Sequence, residues 1–187
     1  PAGAGKMAAI LGMEPEVLAA VCAEASSAGI VECANFNCPG QIVIGGETAA
    51  VDLACEKAKE KGAKRVVPLA VSVPSHTSVL KVITTELSEA LSAIEMKDPS
   101  VPFLSNVRGD YAASSAEIKD LLKEQVMRPV LWQRIVEKMI ADGITTFVEI
   151  GPGKVLSGFL RQINRDVKGY NVEDMKSLNE TLEKLGI

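Results

Sequence analysis

The hydrophobic pattern of this chain changes period repeatedly, and each change marks an element. Met7 to Leu11 is a short continuous apolar run, the pattern of a buried strand. Pro15 opens a helix through about Ser27, since proline is favoured at a first helical position, and Val17, Leu18, Val21 and Cys22 form its apolar stripe. Ile30–Asn37 and Gln41–Ile44 read as two strands, and Cys38-Pro39-Gly40 between them has the turn chemistry of a hairpin. Glu47–Lys61 is a second helix closed by Gly62, and Arg65–Leu69 is a fourth strand. The order strand, helix, strand, strand, helix, strand is that of the split βαβ, or ferredoxin-like, unit, and it fits within residues 7–69.

From residue 70 onward the pattern changes. A helix is expected from just after His76 to about Ala93, with Leu80, Ile83, Leu87 and Leu91 on one face. Pro99 and Pro102 flank a short strand at Val101–Ser105, and Asn106–Ala113 reads as polar loop. Ser114 or Ser115 caps a helix through Gln125 that Pro129 stops. Leu131–Ala141 is helical and ends at Gly143; Thr146–Ile150 is a strand. A helix at Lys154–Asn164, a strand at Gly169–Val172 and a helix at Asp174–Leu185 complete the chain. This alternation implies an α/β layer with parallel strands. Three or four short strands leave such a layer with exposed apolar edges, so residues 70–187 read as part of a larger sheet.

Composition narrows the function classes. Lysine and arginine number 20 against 24 acidic residues, a net charge of −4, and aromatics are 4%. Neither a phosphate-neutralising surface nor a base-stacking platform is expected, so no nucleic-acid partner is. No apolar run reaches the roughly 18 residues that span a bilayer, and the Gly-rich start lacks the form of a signal peptide. Neither a membrane partner nor export is expected; the expected compartment is the cytoplasm. Four cysteines without a Cys-X-X-Cys pair, and a single histidine, argue against a zinc site.

That histidine, His76 in Val73-Pro74-Ser75-His76-Thr77, is the candidate for proton transfer. Imidazole is the side chain whose ordinary pKa, about 6.5, suits a general base near neutrality. A strand-like stretch leads in and a helix leaves, and a helix N-terminus keeps such a ring neutral. A structural histidine at a helix start fits the same pattern. The chain has no Gly-X-Ser-X-Gly elbow to supply a nucleophile, and Ser75 lies beside the base in sequence without needing to face it. Gln125, at a helix end, could offer its backbone carbonyl to a ring nitrogen; an exposed amide is the alternative. Asn106 follows a strand, where polar groups that face ligands collect, or it is a turn former. Gly151-Pro152-Gly153-Lys154 fails the P-loop pattern, because Val148 stands where glycine is needed and Val155 where Ser or Thr is. Lys57, Lys59, Lys61, Lys64 and Arg65 cluster with only Glu60 opposing them, either as a solvated helix end or as a dock for an acidic or phosphate-bearing partner.

Four segments carry a resemblance: Met7-Ala8-Ala9-Ile10-Leu11-Gly12; Asn35-Phe36-Asn37-Cys38-Pro39-Gly40-Gln41-Ile42-Val43-Ile44; Val71-Ser72-Val73-Pro74-Ser75-His76; and Val148-Glu149-Ile150-Gly151-Pro152-Gly153-Lys154-Val155-Leu156. In this order they resemble the malonyl-CoA:acyl carrier protein transacylase family of bacterial fatty acid synthesis. The resemblance covers the C-terminal three-fifths of a member and implies an α/β fold: a ferredoxin-like subdomain at 7–69, then at 70–187 the C-terminal portion of a hydrolase-like parallel-sheet domain. The N-terminal segment with the oxyanion loop, the serine elbow and the carboxylate-reading arginine has no counterpart here. The activity implied is ping-pong transfer of malonyl from CoA to the phosphopantetheine thiol of acyl carrier protein, with this chain inactive alone. The resemblance makes His76 the base and Gln125 its orienting residue. It puts Asn106 near the acyl pocket, Ser75 beside the base, and Asn35, Asn37 and Gln41 at the pantetheine entrance. Lys64 and Arg65 would meet CoA or the carrier. The family needs no metal and no redox cofactor. The alternative is a non-catalytic ferredoxin-like module that binds a carrier protein or other acidic partner.

Overall fold

The computed structural model describes residues 5–187. They form a mixed α/β protein whose compact units divide after Ile135, the second being Val136–Ile187. In the first unit, β1 (Lys6–Leu11), α1 (Pro15–Ala25), β2 (Val31–Cys38), β3 (Gln41–Gly46), α2 (Thr48–Glu60) and β4 (Arg65–Pro68) follow in sequence. The sheet order is β2-β3-β1-β4, and every neighbouring pair is antiparallel. The β2–β3 connection is Pro39-Gly40 with Gly40 at φ +71°, the left-handed angle a type II turn requires there.

Strand alternation sends residues to two faces. Ala8, Ile10, Val31, Ile42 and Ile44 meet Leu18, Val21, Ala25, Ala50, Val51 and Ala54 of α1 and α2 in the main core. Met7, Ala9, Ala34 and Val43, flanked by Leu11 and Val67, form a smaller cluster on the opposite face. Val17, expected in the apolar stripe of α1, is 42% exposed, because the helix turns Leu18, Val21 and Cys22 to the sheet instead. Side-by-side helices also bring Glu24 to Lys57 (3.4 Å) and Lys61, which holds the Glu24 carboxyl below its usual range. Glu24 is the counter-charge that the local sequence did not reveal.

Three expectations between residues 69 and 113 need correction. The apolar stretch leading into His76 is not strand: β4 ends at Pro68, and Val71 is exposed. The helix expected from His76 to Ala93 begins as a 3₁₀ segment, Ser78–Ile83, and is α-helical only in α3 (Thr84–Ala93). Within the expected polar loop, Asp110–Ala112 forms β6 and pairs antiparallel with β5 (Phe103–Ser105) through the turn at Gly109. Three-residue strands are too short to show a period. This hairpin also lies outside the parallel layer expected of the second half.

Helix α4 (Ser115–Gln125) starts where Ser114 accepts the Glu117 N–H at 3.2 Å. Next, α5 (Trp132–Ala141) runs across the division between units. In the second unit β7 (Thr146–Ile150) and β8 (Lys168–Val172) pair in parallel, accompanied by α6 (Val155–Ile163) and α7 (Met175–Leu185). Ile150 on this two-stranded sheet is 83% exposed. Among the described residues no helix is long and apolar enough to cross a membrane.

Around the Gly-Pro-Gly turn between β7 and α6, two carboxylates take donors that a phosphate would use. Glu149 accepts from the Leu156 N–H (3.0 Å), the Ser157 N–H (2.7 Å) and the Ser157 hydroxyl (2.7 Å), and Glu173 takes the Gly153 N–H (2.9 Å). Burial pushes the Glu149 carboxyl up, and the bonds from Ser157 and Leu156 outweigh it, leaving it below the ordinary range. A depressed folded pKa contributes stability above the unfolded value and loses it as pH falls through the folded one. Glu149→Gln should therefore lower the urea-unfolding free energy at neutral pH by about 1 kcal/mol, a typical cap loss. The difference from the parent should vanish in acid.

Candidate active site

Residues 74–78 leave the sheet and settle back on it. Pro74 is fully buried, and its ring fills the place a side chain at Gly5 would need, with Cγ 2.6 Å from an ideal Cβ there. Thr77 is also fully buried, its hydroxyl donating to the Pro74 carbonyl at 2.7 Å. Its methyl lies 3.2 Å from where a Gly45 Cβ would stand. Gly45 alternates with Val43 on β3, so the loop lands on the sheet face that carries Met7 and Val43, away from α1 and α2.

His76 sits at the apex with φ +64°, the one non-glycine residue at positive φ among those described. A left-handed backbone costs an L-residue about 1–2 kcal/mol and persists where surrounding bonds over-determine it. Its N–H donates to the Val126 carbonyl at 3.0 Å, and its ring Nδ1 lies 2.7 Å from the Gln125 carbonyl oxygen. A carbonyl only accepts, so Nδ1 carries the proton and, in the neutral ring, Nε2 keeps its lone pair. The ring is half-buried. Its orientation comes from α4's terminal carbonyls, and the helix that starts beside it is a 3₁₀ segment, the α-helix beginning only at Thr84.

The structure gathers the other sequence candidates unevenly. Val130 pairs with the outer edge of β2, donating to the Ala34 carbonyl (2.9 Å) and accepting from the Phe36 N–H (2.8 Å). The next residue, Leu131, donates to the Asn106 carbonyl at 2.9 Å. Asn35 and Asn106 therefore share the neighbourhood of one short segment, five and six residues beyond Gln125. Asn35 pairs with Val43 and Gln41 with Leu11, so by register both belong to the face on which the histidine loop lands. Asn37 falls at a bulge between Phe36 and Cys38, where the ladder does not set its facing. Arg65 pairs with Leu11 and shares that face at its far end. Leu11 and Met7 are four residues apart on β1, about 13 Å at 3.3 Å per residue. The Lys64 chain lies across Gly12, its Cγ 2.5 Å from an ideal Cβ there. Lys64 and Arg65 are thus set apart from His76, while Ser75 adjoins it. Among the described residues no cluster of three His, Cys, Asp or Glu side chains could hold a metal.

Sequence reasoning missed Glu32, Val126 and Val130. Two act through backbone groups, which leave no trace in side-chain identity. Glu32 meets the loop 46 residues away.

Residues 2–179 match the model of the acyl transferase domain family. The chain is 47% identical over 186 residues to the malonyl CoA-acyl carrier protein transacylase of Bacillus subtilis, covering 99% of this chain and 59% of that protein. The crystal structure of an acyl-carrier-protein S-malonyltransferase from Burkholderia pseudomallei superimposes with a TM-score of 0.94 at 45% identity, over 98% of this chain and 60% of that one. A malonyl CoA-acyl carrier protein transacylase from Clostridium perfringens gives 0.95 at 45%, over 100% and 58%. The chain thus spans about three-fifths of the length of these relatives.

The backbone angle at residue 76 makes a prediction independent of chemistry. His76→Gly and His76→Ala both remove the ring, but only alanine keeps the left-handed penalty. Thermal unfolding should find His76→Gly the more stable of the two by about 1 kcal/mol; equal stability would contradict the strain.

Proposed function

The chain belongs to the acyl transferase domain family, and on that premise we propose that it supplies the general base of malonyl transfer from CoA to the phosphopantetheine thiol of an acyl carrier protein. The observation that carries this reading is the 2.7 Å bond between His76 Nδ1 and the Gln125 carbonyl. It holds the tautomer whose Nε2 accepts a proton, the orienting role of a triad's third member. The nucleophile is a serine on polypeptide beyond these 187 residues, since no Gly-X-Ser-X-Gly elbow occurs in them.

In the first half-reaction Nε2 takes the serine hydroxyl proton as the oxygen attacks the malonyl thioester carbonyl. The tetrahedral intermediate collapses, its C–S bond breaks, and the imidazolium returns the proton to the CoA sulfur. In the second half, Nε2 takes the carrier thiol's proton and sulfur attacks the acyl-serine. The C–O bond breaks, and the serine oxygen recovers a proton from the ring. Charge and protons balance in each half, and the cycle draws on no metal or redox cofactor.

The sheet face beside the histidine suits a long thioester arm. Asn35, Asn37 and Gln41 would line it, and Arg65 with Lys64, about 13 Å along β1 from Met7, would meet CoA phosphate or the acidic carrier. Asn106 and Ser75 would border the acyl group. In this reading residues 7–69 are a ferredoxin-like subdomain, which the β2-β3-β1-β4 order supports. Residues 70–187 are the C-terminal portion of a hydrolase-like sheet, whose strand β7 leaves Ile150 83% exposed. The enzyme would work in the cytoplasm.

Two measurements test the reading. Incubated with malonyl-CoA, the 187-residue chain should show no acyl adduct by intact mass; malonyl on Ser75 would overturn the assignment. In the serine-bearing acyltransferase that contains this chain, His76→Ala should cut transfer about 10²- to 10⁴-fold, the range of general-base contributions. Undiminished transfer would favour a docking module.

A further inference from the structure

Glu32 stands on β2 directly opposite Gly45, the glycine on which Thr77 packs. Its carboxylate reaches the first residue of the 3₁₀ segment twice: Oε2 accepts the Ser78 N–H at 2.7 Å and Oε1 the Ser78 hydroxyl at 2.8 Å. Hydrogen bonds to an ionised carboxylate are roughly twice as strong as neutral ones. A 3₁₀ turn leaves its first N–H groups without internal acceptors, and Ser78 begins this one. The carboxylate thus caps it from another element.

The placement matters because of what lies two residues earlier. His76 keeps its left-handed backbone only while both flanks of the loop are held. The α4 end grips it through the Val126 and Gln125 carbonyls. Val130, four residues on, is itself hydrogen-bonded to β2 at Ala34 and Phe36. Glu32 closes the circuit from the other side, so β2 anchors both attachments of the loop. Were Ser78 released, the chain after Thr77 could swing and the left-handed turn could relax to an ordinary one. The ring would then leave the Gln125 carbonyl.

We propose that Glu32 is a positioning residue for the reaction: by clamping Ser78 it holds the His76 ring on the Gln125 carbonyl and keeps Nε2 aimed at the nucleophile. The proposal rests on the reading of His76 as the base, and its two tests separate the two ideas. His76 is the one histidine in this chain, so ¹⁵N-histidine labelling of the 187-residue chain gives a single pair of ring signals. In the parent these should report the Nδ1–H form. Glu32→Gln keeps the size and loses the charge; Ser78→Ala removes only the hydroxyl bond. Both should shift the ring signals toward mixed tautomers while far-UV circular dichroism stays at the parent level.

In the serine-bearing acyltransferase the same variants should lower kcat about 10- to 100-fold, as expected for a displaced catalytic group, with KM for malonyl-CoA within about twofold of the parent. Because both variants cut one linkage, the double variant should fall no further than the worse single one. Ring signals unchanged in both folded variants, or kcat within about twofold of the parent, would overturn the proposal. That outcome would leave the His76 assignment to be judged by His76→Ala alone. If Glu32→Gln fails to fold, Ser78→Ala carries the same two readings.

Discussion

A helix ends with carbonyls that have no donor of their own, and at the end of α4 one distant residue satisfies two in succession. His76 gives its backbone N–H to Val126 and its ring N–H to Gln125. Everything specific about the site depends on this double attachment. It makes the left-handed backbone tolerable, it chooses the imidazole tautomer, and it ties a loop that follows β4 to a helix 49 residues later in the chain. A side chain at position 125 could change without altering the acceptor, because the backbone provides it.

The sheet is shaped to receive that loop. Gly5 and Gly45 leave room for the Pro74 ring and the Thr77 methyl, so the loop packs at backbone distance from β1 and β3. Close packing of this kind resists displacement, since neither Pro74 nor Thr77 is exposed. The helices occupy the other face, where Leu18, Val21 and Val51 join the main core. The division of labour follows strand alternation: one face packs against the helices, and the other carries Asn35, Gln41 and Arg65 by register.

The second unit uses carboxylates where a phosphate-binding fold would leave amides open. Glu173 accepts the Gly153 N–H of the Gly-Pro-Gly turn, and Glu149 accepts the Leu156 and Ser157 N–H groups of the first turn of α6, so an anion approaching there meets two carboxylates. The resemblance of Gly151-Pro152-Gly153-Lys154 to a phosphate cradle is one of composition, and the bonds give it the opposite electrostatic sense.

The alternation of short apolar runs and helical stripes was enough to read the first six elements, the Pro39-Gly40 hairpin and the single histidine as the base candidate, because those signals are local. Gly-Pro-Gly was legible as a turn for the same reason. Local signals did not reach the route into His76: Leu69, Ala70 and Val71 are apolar yet exposed, and the helix expected after the histidine is first a 3₁₀ segment. Nor did they reach β6, whose three residues exist as a strand only because β5 pairs with them. The backbone angle of His76, its tautomer, the Glu32 clamp on Ser78 and the shared facing of Asn35, Gln41 and Arg65 are products of tertiary structure. Each depends on backbone hydrogen bonds or strand register between segments tens of residues apart, and such bonds are indifferent to the side-chain pattern from which a sequence is read.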